Sequence, residues 1–252
     1  MKYAINLHPV IPVRRHASET SEMTTQLLFG ELFVVKSNTG KWVEIKNVAD
    51  GYSGWISANM ATFLLPATFF QLVESPVFPL HSLVVQVKKE PSGQLLTLPC
   101  GSLIRNFCHA KNSFSIAGRD FSFIGTLDNY SLEQNAERWL NAPYLWGGKT
   151  VFGVDCSGFV QLIFSLSGIQ LPRDAKEQSQ YGVRVSFGNT QTGDLAFFCN
   201  ENSQVVHVGI IINNQKVIHA SGKVRIDYLT ADGILSSDTN QLTHRLFSIN
   251  RI

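Results

Sequence analysis

One of the four cysteines in the chain stands in a sequence that suits a nucleophile. Cys156 lies within Asp155-Cys156-Ser157-Gly158, directly after a glycine-rich stretch and directly before an apolar run. Asp155 is a suitable N-cap residue, which would place Cys156 in the first turn of a helix. The free amides and the dipole of that turn favour a thiolate and an oxyanion, so Cys156 is expected to react with iodoacetamide well below about pH 8.5. Gly158 would leave room for a substrate to approach.

The remaining cysteines lack such surroundings and are interpreted as structural. Cys100, Cys108 and Cys199 form no Cys-x-x-Cys pair and no dense framework, which favours reduced thiols. A burial role for Cys156 and a zinc site are the two alternatives to a nucleophile. His207 follows Cys156 by 51 positions, a spacing that fits no compact zinc pattern. The sequence therefore predicts neither a metal nor a cofactor.

Two histidines follow in predicted neighbouring strands. His207 is the only polar side chain in the apolar run 205–212, and His219 lies in the next run, 217–220. An isolated core histidine is usually a hydrogen-bonded structural residue. A pair downstream of a helix-capping cysteine instead gives the order Cys, His, polar residue that papain-like enzymes use. His207 would be the base, and His219 would orient its imidazole.

This arrangement requires both histidines to share one face of a β-hairpin. Opposed residues in an antiparallel pair point the same way, so the numbers of paired residues must sum to an even value. A two-residue turn at Asn214-Gln215 gives an odd sum and opposite faces. The sequence therefore predicts a three-residue loop or a bulge within Asn213-Asn214-Gln215-Lys216.

The elements that must position these residues fall into three predicted domains. Short apolar runs separated by tight turns predict a small β-barrel over residues 1–65, and the same style repeats over 66–127. The pattern changes near Ser131, where Ser131-Leu132-Glu133-Gln134 resembles a capping box opening a helix to Leu140. A buried helix and several strands follow. Residues 128–252 are therefore predicted to be an α+β domain after two small all-β barrels.

Composition limits the classes of partner. The formal net charge is +2, which leaves no nucleic-acid footprint, and no apolar run approaches the ~20 residues needed to span a membrane. The N-terminal residues contain no apolar core of an export signal. Together with the cysteine pattern, this predicts a cytoplasmic protein that binds neither nucleic acid nor membrane.

The motifs together resemble the NlpC-type cysteine peptidases, which cleave peptides of bacterial peptidoglycan. The resemblance rests on four ordered strings over about 110 residues, namely Pro143-Tyr144-Leu145-Trp146-Gly147-Gly148, Asp155-Cys156-Ser157-Gly158-Phe159, His207-Val208-Gly209-Ile210 and Ile218-His219-Ala220. It implies a papain-like domain with Cys156 as nucleophile, His207 as base and His219 as third member. It also implies that the Tyr144 hydroxyl helps to hold the oxyanion and that Trp146 lies at the substrate.

The N-terminal half is similar to the bacterial SH3-like barrels of one subgroup, the cytoplasmic γ-D-glutamyl-L-diamino acid endopeptidases, or dipeptidyl-peptidase VI. The similarity rests on the strings 11–15, 21–23, 26–31 and 50–56. Such enzymes cut short murein peptides that carry a free N-terminal L-alanine. The resemblance implies that Glu31 and Tyr52 hold the α-amine of the peptide. A turn acid and an edge aromatic are the alternative interpretations of these two residues.

The segment Leu171-Pro172-Arg173-Asp174-Ala175 resembles the specificity loop of the same family. Arg173 would pair with the α-carboxylate of γ-D-glutamate, because a guanidinium fork suits a carboxylate. Asp174 would receive the ammonium end of the substrate, and a solvated loop pair is the alternative. Asp155 and Ser157 flank Cys156 and would also contact substrate.

The leading functional hypothesis is a murein-recycling endopeptidase. It would cut the γ-D-glutamyl bond to meso-diaminopimelate or lysine in a tripeptide or tetrapeptide beginning with L-Ala. A wall-binding protein with an inactive peptidase domain is one alternative. An amidase or acyltransferase of the same superfamily is the other.

Overall fold

The computed structural model describes residues 2–213 and 215–252. The chain forms two compact units, Met1–Asn129 and Tyr130–Ile252. The division lies close to the predicted start of the third domain at residue 128. Residues 1–65 and 66–127 both lie within the first compact unit, so the predicted boundary between two barrels stays a prediction.

The first unit begins with a seven-stranded antiparallel sheet. Its strands alternate buried and outward residues; in one of them Val43 and Ile45 are buried whereas Trp42 and Glu44 are only half-buried. This alternation is typical of a sheet with one face on a core. The strands, paired in the order β3-β2-β6-β5-β4-β1-β7, are β1 Lys2–Ile5, β2 Val10–Arg14, β3 Met23–Leu28, β4 Leu32–Asn38, β5 Trp42–Asn47, β6 Ser53–Ser57 and β7 Thr62–Leu64.

The rest of the first unit packs on a second apolar cluster, separate from the one that contains Val43 and Ile45. Helix α1, Pro66–Glu74, starts with a proline at its first position, where no amide partner is needed. Its Phe69 and Leu72 belong to this cluster together with Ile5 of β1 and Phe29, which follows β3. The strands are β8 Val77–Pro79, β9 Val84–Glu90, β10 Gln94–Pro99, β11 Leu103–Arg105, β12 Ser113–Ile116 and β13 Arg119–Ile124, paired as β10-β9-β13-β12 and β11-β8.

The second unit opens with helices. Ser131 caps α2, Leu132–Glu137, and the predicted capping box is present in both directions. The helix ends three residues before the expected Leu140, where the Trp139 and Leu140 amides bond the carbonyls three residues back, of Ala136 and Glu137, in consecutive turns. A two-stranded ribbon, β14 Lys149–Thr150 with β15 Gly153–Val154, then leads into α3, Cys156–Leu166, which is buried along nearly its whole length.

A closed antiparallel sheet completes the second unit. Strand β22 pairs with both β17 and β21, so the sheet order β16-β22-β17-β18-β19-β20-β21 returns on itself as a barrel. Helix α3 packs on β18 and β19. The remaining elements are α4 Ala175–Gln178, β16 Val183–Val185, β17 Leu195–Cys199, β18 Val205–Asn213, β19 Lys216–Ser221, β20 Lys223–Leu229, β21 Gly233–Leu235 and β22 Leu242–Arg251, with 3₁₀ turns at Ala58–Met60, His109–Lys111 and Phe187–Asn189. The predicted α+β class is confirmed.

Candidate active site

Cys156 is the first residue of α3. Asp155 is the N-cap residue and accepts a hydrogen bond from the Gly158 amide to Oδ1 at 2.7 Å. This satisfies one of the amides that every helix leaves free at its start. Cys156 is only 7% exposed. The predicted position of the cysteine, in the first turn behind an aspartate cap, is confirmed.

The Asp155 carboxylate also holds two loops against the start of the helix. It accepts the Gly147 amide at 2.8 Å, and it pairs with Arg173 through Nη1–Oδ1 at 3.0 Å and Nη2–Oδ2 at 2.6 Å. Arg173 Nη1 also donates to Ser157 Oγ at 3.0 Å. Two-point binding of this kind fixes both partners in orientation. Asp155 therefore connects α3 to the loops on either side of it.

Gly158 is required by the protein itself. A Cβ at this position would lie 2.6 Å from the Gly148 carbonyl oxygen and 2.9 Å from Asp155 Oδ1. The expectation that Gly158 leaves room for substrate is therefore wrong, because the space is filled by the glycine-rich loop and the capping carboxylate.

The environment of Cys156 favours the protonated thiol. Burial and the neighbouring Asp155 carboxylate raise the pKa of Cys156 to about 12, although hydrogen bonds from the Val208 and Ser157 backbone and the charge of Arg173 act in the opposite direction. The raised pKa runs against the expectation of an acidic thiol in the free enzyme, which stays a prediction for the iodoacetamide reaction. Helix-start amides lower the thiol pKa, but here they are outweighed by desolvation and an adjacent negative charge.

Tyr144 lies in the electrostatic field of the same thiol. Burial, Cys156 and Asp155 raise the pKa of Tyr144 to about 12, and Arg173 lowers it by a smaller amount. The hydroxyl is therefore protonated at neutral pH and can donate a hydrogen bond. Trp146, two residues further on, is 60% exposed, which is uncommon for so large an apolar side chain.

His207 and His219 meet on one face of the β18–β19 hairpin. Gly209 pairs with His219 and Ile211 with Val217, which are even sums, and His207 Nε2 lies 2.8 Å from His219 Nδ1. The predicted shared face is confirmed. The bulge that permits it lies between Ile211 and Asn213, one residue before the predicted segment 213–216. Within that segment, Asn214 lies outside the described residues.

A glycine makes this contact between the imidazoles possible. Gly209 lies two residues after His207 and directly opposite His219, and a Cβ there would come within 2.9 Å of His219 Cβ and 2.5 Å of Val217 Cγ2. A side chain at position 209 would therefore push the β19 residues away. The His-Val-Gly sequence therefore allows the imidazoles of His207 and His219 to lie at contact distance.

Three residues that the sequence analysis missed extend this pair. His219 Nε2 lies 2.9 Å from Asp227 Oδ2, and Arg225 Nε lies 2.8 Å from the same oxygen. The His244 ring stacks on the His207 ring, with centroids 4.3 Å apart. The signal for two of them was present in β20, where Arg225 and Asp227 alternate with apolar residues and Arg225 pairs directly with His219.

Both stacked histidines are neutral at physiological pH. Burial, His219 and His244 lower the pKa of His207 well below its usual value. Burial and His219 lower the pKa of His244 to about 4, against an opposing effect of Asp227. A neutral imidazole can accept a proton, which is the requirement for a general base.

The other predicted substrate-binding residues have varied surroundings. Arg173 is only 2% exposed and already bonded to Asp155, so it is neither a solvated loop residue nor a surface cation; binding of a substrate carboxylate stays a prediction. Asp174 is exposed at the start of α4. In the first unit, Glu31 is buried and accepts the Leu28 amide at 2.6 Å, whereas Tyr52 is half-buried in the turn before β6.

Among residues 2–213 and 215–252, no group of three or more His, Cys, Asp or Glu side chains is arranged to hold a metal ion. Cys100, Cys108 and Cys199 are free thiols, and Cys100 is buried. Over the same described residues, no helix is long and apolar enough to cross a membrane.

Comparison with known proteins identifies two matching families. The NlpC/P60 family matches residues 141–243, and the bacterial dipeptidyl-peptidase SH3 domain matches residues 13–59. The first match spans Cys156, His207 and His219. The second covers most of the seven-stranded sheet of the first unit.

The individual relatives differ in how much of the chain they cover. The chain is 29% identical over 223 residues to the gamma-D-glutamyl-L-lysine dipeptidyl-peptidase of Bacillus subtilis (strain 168), an alignment covering 78% of this chain and 71% of that protein. It is 40% identical over 111 residues to the murein DD-endopeptidase MepS/murein LD-carboxypeptidase of Escherichia coli (strain K12), covering 44% of this chain and 54% of the relative. The crystal structure of an NlpC/P60 family protein from Bacillus cereus ATCC 10987 superposes with a TM-score of 0.84 at 20% identity, over 99% of both chains.

Proposed function

From the premise that this chain joins an NlpC/P60 cysteine peptidase domain to a bacterial dipeptidyl-peptidase SH3 domain, we propose that it cleaves the γ-D-glutamyl–diamino acid bond of murein peptides. The substrate is a short peptide with a free N-terminal L-alanine, and its cleavage serves the recycling of cell-wall peptides in the cytoplasm. The observation that supports this most is the hydrogen-bonded pair His207–His219 on the strand whose Val208 backbone bonds the Cys156 sulfur. The Bacillus subtilis relative, named for the γ-D-glutamyl-L-lysine linkage, supports the choice of bond.

Cys156 is the nucleophile in this proposal, and His207 is the base. The Nε2 atom of His207 is engaged with His219, so Nδ1 is the nitrogen that accepts the thiol proton. Because the thiol pKa is raised to about 12, the proton leaves during attack and not before it. Tyr144 and the amide of Cys156 stabilise the oxyanion that then forms.

Acylation follows from these roles. The sulfur of Cys156 forms a bond to the γ-carbonyl carbon of D-glutamate as its proton moves to His207 Nδ1. The carbon–nitrogen bond then breaks, and the imidazolium gives the proton to the departing amine of the diamino acid. The products are a thioester on Cys156 and a free diamino acid or its peptide.

Deacylation reverses the role of the histidine. A water molecule gives a proton to His207 as its oxygen bonds to the thioester carbon, and the carbon–sulfur bond breaks. The sulfur recovers a proton from the imidazolium. L-Ala-D-Glu leaves with a new γ-carboxyl group, which then gives its proton to solvent, and the enzyme returns to the neutral thiol and neutral imidazole.

Substrate recognition is proposed to use further exposed and charged side chains. Exposed Trp146 offers an apolar surface, and exposed Asp174 offers a carboxylate for the ammonium of the diamino acid. Glu31 and Tyr52 are proposed to bind the α-amine on the strength of the sequence resemblance. The remaining proposed contacts are Asp155, Ser157 and Arg173.

The experiment that tests this function is a peptide panel with mass-spectrometric detection. L-Ala-γ-D-Glu-meso-diaminopimelate and its L-lysine analogue are each incubated in free and N-acetylated forms, with Cys156→Ala as the control enzyme. Release of L-Ala-D-Glu and the free diamino acid from the unblocked peptides is the expected result. Equal cleavage of acetylated peptides would overturn the requirement for a free amine, and no cleavage of any peptide would favour an amidase, an acyltransferase or a wall-binding role.

A further inference from the structure

The hydrogen-bonded chain behind the base does not end at His219. His207 Nε2 lies 2.8 Å from His219 Nδ1, and His219 Nε2 lies 2.9 Å from Asp227 Oδ2. All three side chains are buried, with Asp227 only 3% exposed and His219 1%. Two imidazoles in series therefore connect the candidate base to a buried carboxylate on the neighbouring strand β20.

The Asp227 carboxylate is held firmly by other groups. Its Oδ1 accepts hydrogen bonds from the Ser237 amide and the Ser237 hydroxyl, both at 2.8 Å, and from Arg225 Nη2 at 2.9 Å. Arg225 Nε lies 2.8 Å from the other oxygen. Asp227 is thus fixed in orientation, with Oδ2 presented to His219.

These surroundings keep Asp227 ionised. Burial alone would raise the pKa of Asp227, but hydrogen bonds from His219, Ser237 and Arg225 outweigh it and lower the pKa far below its usual range. An ionised carboxylate carries no proton and can only accept hydrogen bonds. This property determines the direction of both hydrogen bonds, from His219 to Asp227 and between His219 and His207.

The direction follows by elimination along the two rings. Because Asp227 only accepts, Nε2 of His219 carries its hydrogen, and in a neutral imidazole Nδ1 then has the lone pair. That lone pair accepts from His207, so Nε2 of His207 carries a hydrogen as well. Nδ1 of His207 is left unprotonated, which is the state a base requires.

We propose that Asp227 is a positioning residue that sets the tautomer of both imidazoles and so keeps His207 Nδ1 free to accept a proton. The inference deepens the proposed function and rests on His207 being its base. A carboxylate that orients a catalytic histidine directly is known to act in this way in serine proteases. Here the effect passes through a second ring.

The first test reads the tautomers without any substrate. Wild-type protein labelled with ¹⁵N-histidine is examined by long-range ¹H–¹⁵N NMR near pH 8. Both His207 and His219 are expected in the form with hydrogen on Nε2. A hydrogen on Nδ1 of His207 in the wild type would overturn the proposal, and this result needs no variant that folds.

The second test uses Asp227→Asn to reverse the direction of the hydrogen bonds that link His207, His219 and residue 227. An asparagine amide can donate to His219 Nε2, which places hydrogens on Nδ1 of both rings and removes the free lone pair of the base. We expect the NMR tautomers to reverse and kcat to fall at least ~100-fold with KM within about threefold, because loss of the corresponding carboxylate in a serine protease costs about 10⁴ in kcat. Asp238→Asn is the matched control, since Asp238 also pairs with Arg225 but is 70% exposed and outside the chain of bonds.

The outcomes separate the inference from the proposed function. Unchanged tautomers and kcat in Asp227→Asn, or an equal loss in Asp238→Asn, would show that Asp227 only stabilises the fold. Wild-type tautomers as expected, in a protein that cleaves no peptide of the panel, would leave the positioning role intact and refute the proposed function.

Discussion

Replacing Arg173 with methionine is expected to destabilise the second unit. The side chains of Arg173 and Asp155 are 1% and 8% exposed, and their ion pair is bidentate. Removing one partner of a buried ion pair costs about 3–5 kcal/mol, because the other charge stays buried without compensation. The Gly147 and Gly158 amides still bind Asp155 in the variant, so a loss near 3 kcal/mol is expected.

The assay is hydrogen exchange of the first-turn amides of α3, read by mass spectrometry at several urea concentrations. A loss of about 3 kcal/mol corresponds to exchange about 100-fold faster where opening of the unit limits exchange. Arg184→Met is the control, because Arg184 is an exposed arginine of the same unit, and its effect should stay within about 0.5 kcal/mol. The double variant Asp155→Asn, Arg173→Met should lose less stability than the sum of its single variants, because each single variant leaves one unpaired buried charge and the double variant leaves none.

The result also distinguishes the two roles of Arg173. Suppose that the amides of Arg173→Met exchange as slowly as those of the wild type and only KM for the peptide rises. Arg173 would then act on the substrate carboxylate, and its ion pair with Asp155 would contribute little to stability. Such a result would refute the reasoning from burial.

Two further predictions concern the histidines. Gly209→Ala should lower kcat at least ~10-fold, since a Cβ there meets His219 Cβ at 2.9 Å; Gly188→Ala, with no atom within 4 Å of its Cβ, is the control, and equal effects of both would contradict the argument. The free energy of unfolding should also decrease as the pH is lowered. The pKa values of His207 and His244 are lowered on folding, so the unfolded chain binds more protons below about pH 6.5. Stability is then fully present above about pH 6.5 and is lost toward pH 4; the urea midpoint measures it, and a midpoint unchanged from pH 7 to pH 5 would refute it.

Local sequence was enough to place the nucleophile. An aspartate followed by cysteine, serine and glycine before an apolar run has few structural solutions other than a capped helix, so the position of Cys156 was predictable. The shared face of His207 and His219 followed from the alternation of side chains along strands. The bulge at Ile211–Asn213 was predictable in kind, but its position depended on packing that the sequence does not express.

Long-range contacts were not predictable in the same way. The pairing of Arg173 with Asp155 joins residues from separate loops. The raised pKa of Cys156 depends mainly on the burial of its thiol. Asp227 reaches His219 from the adjoining strand β20, whereas His244 comes from β22, the strand that closes the barrel by pairing with β21. An aspartate and a histidine would suit a solvated strand equally well, so only the folded structure assigns Asp227 and His244 a role.

The central claim is that Cys156 forms a thioester with the γ-glutamyl group. It is tested most directly by mixing the wild-type enzyme with excess L-Ala-γ-D-Glu-meso-diaminopimelate, quenching with acid within milliseconds and mapping the protein by mass spectrometry. The account predicts an L-Ala-γ-D-Glu adduct on Cys156, no adduct and no turnover in Cys156→Ala, and undiminished turnover in Cys199→Ala. An adduct on another residue, or turnover that survives in Cys156→Ala, would contradict it.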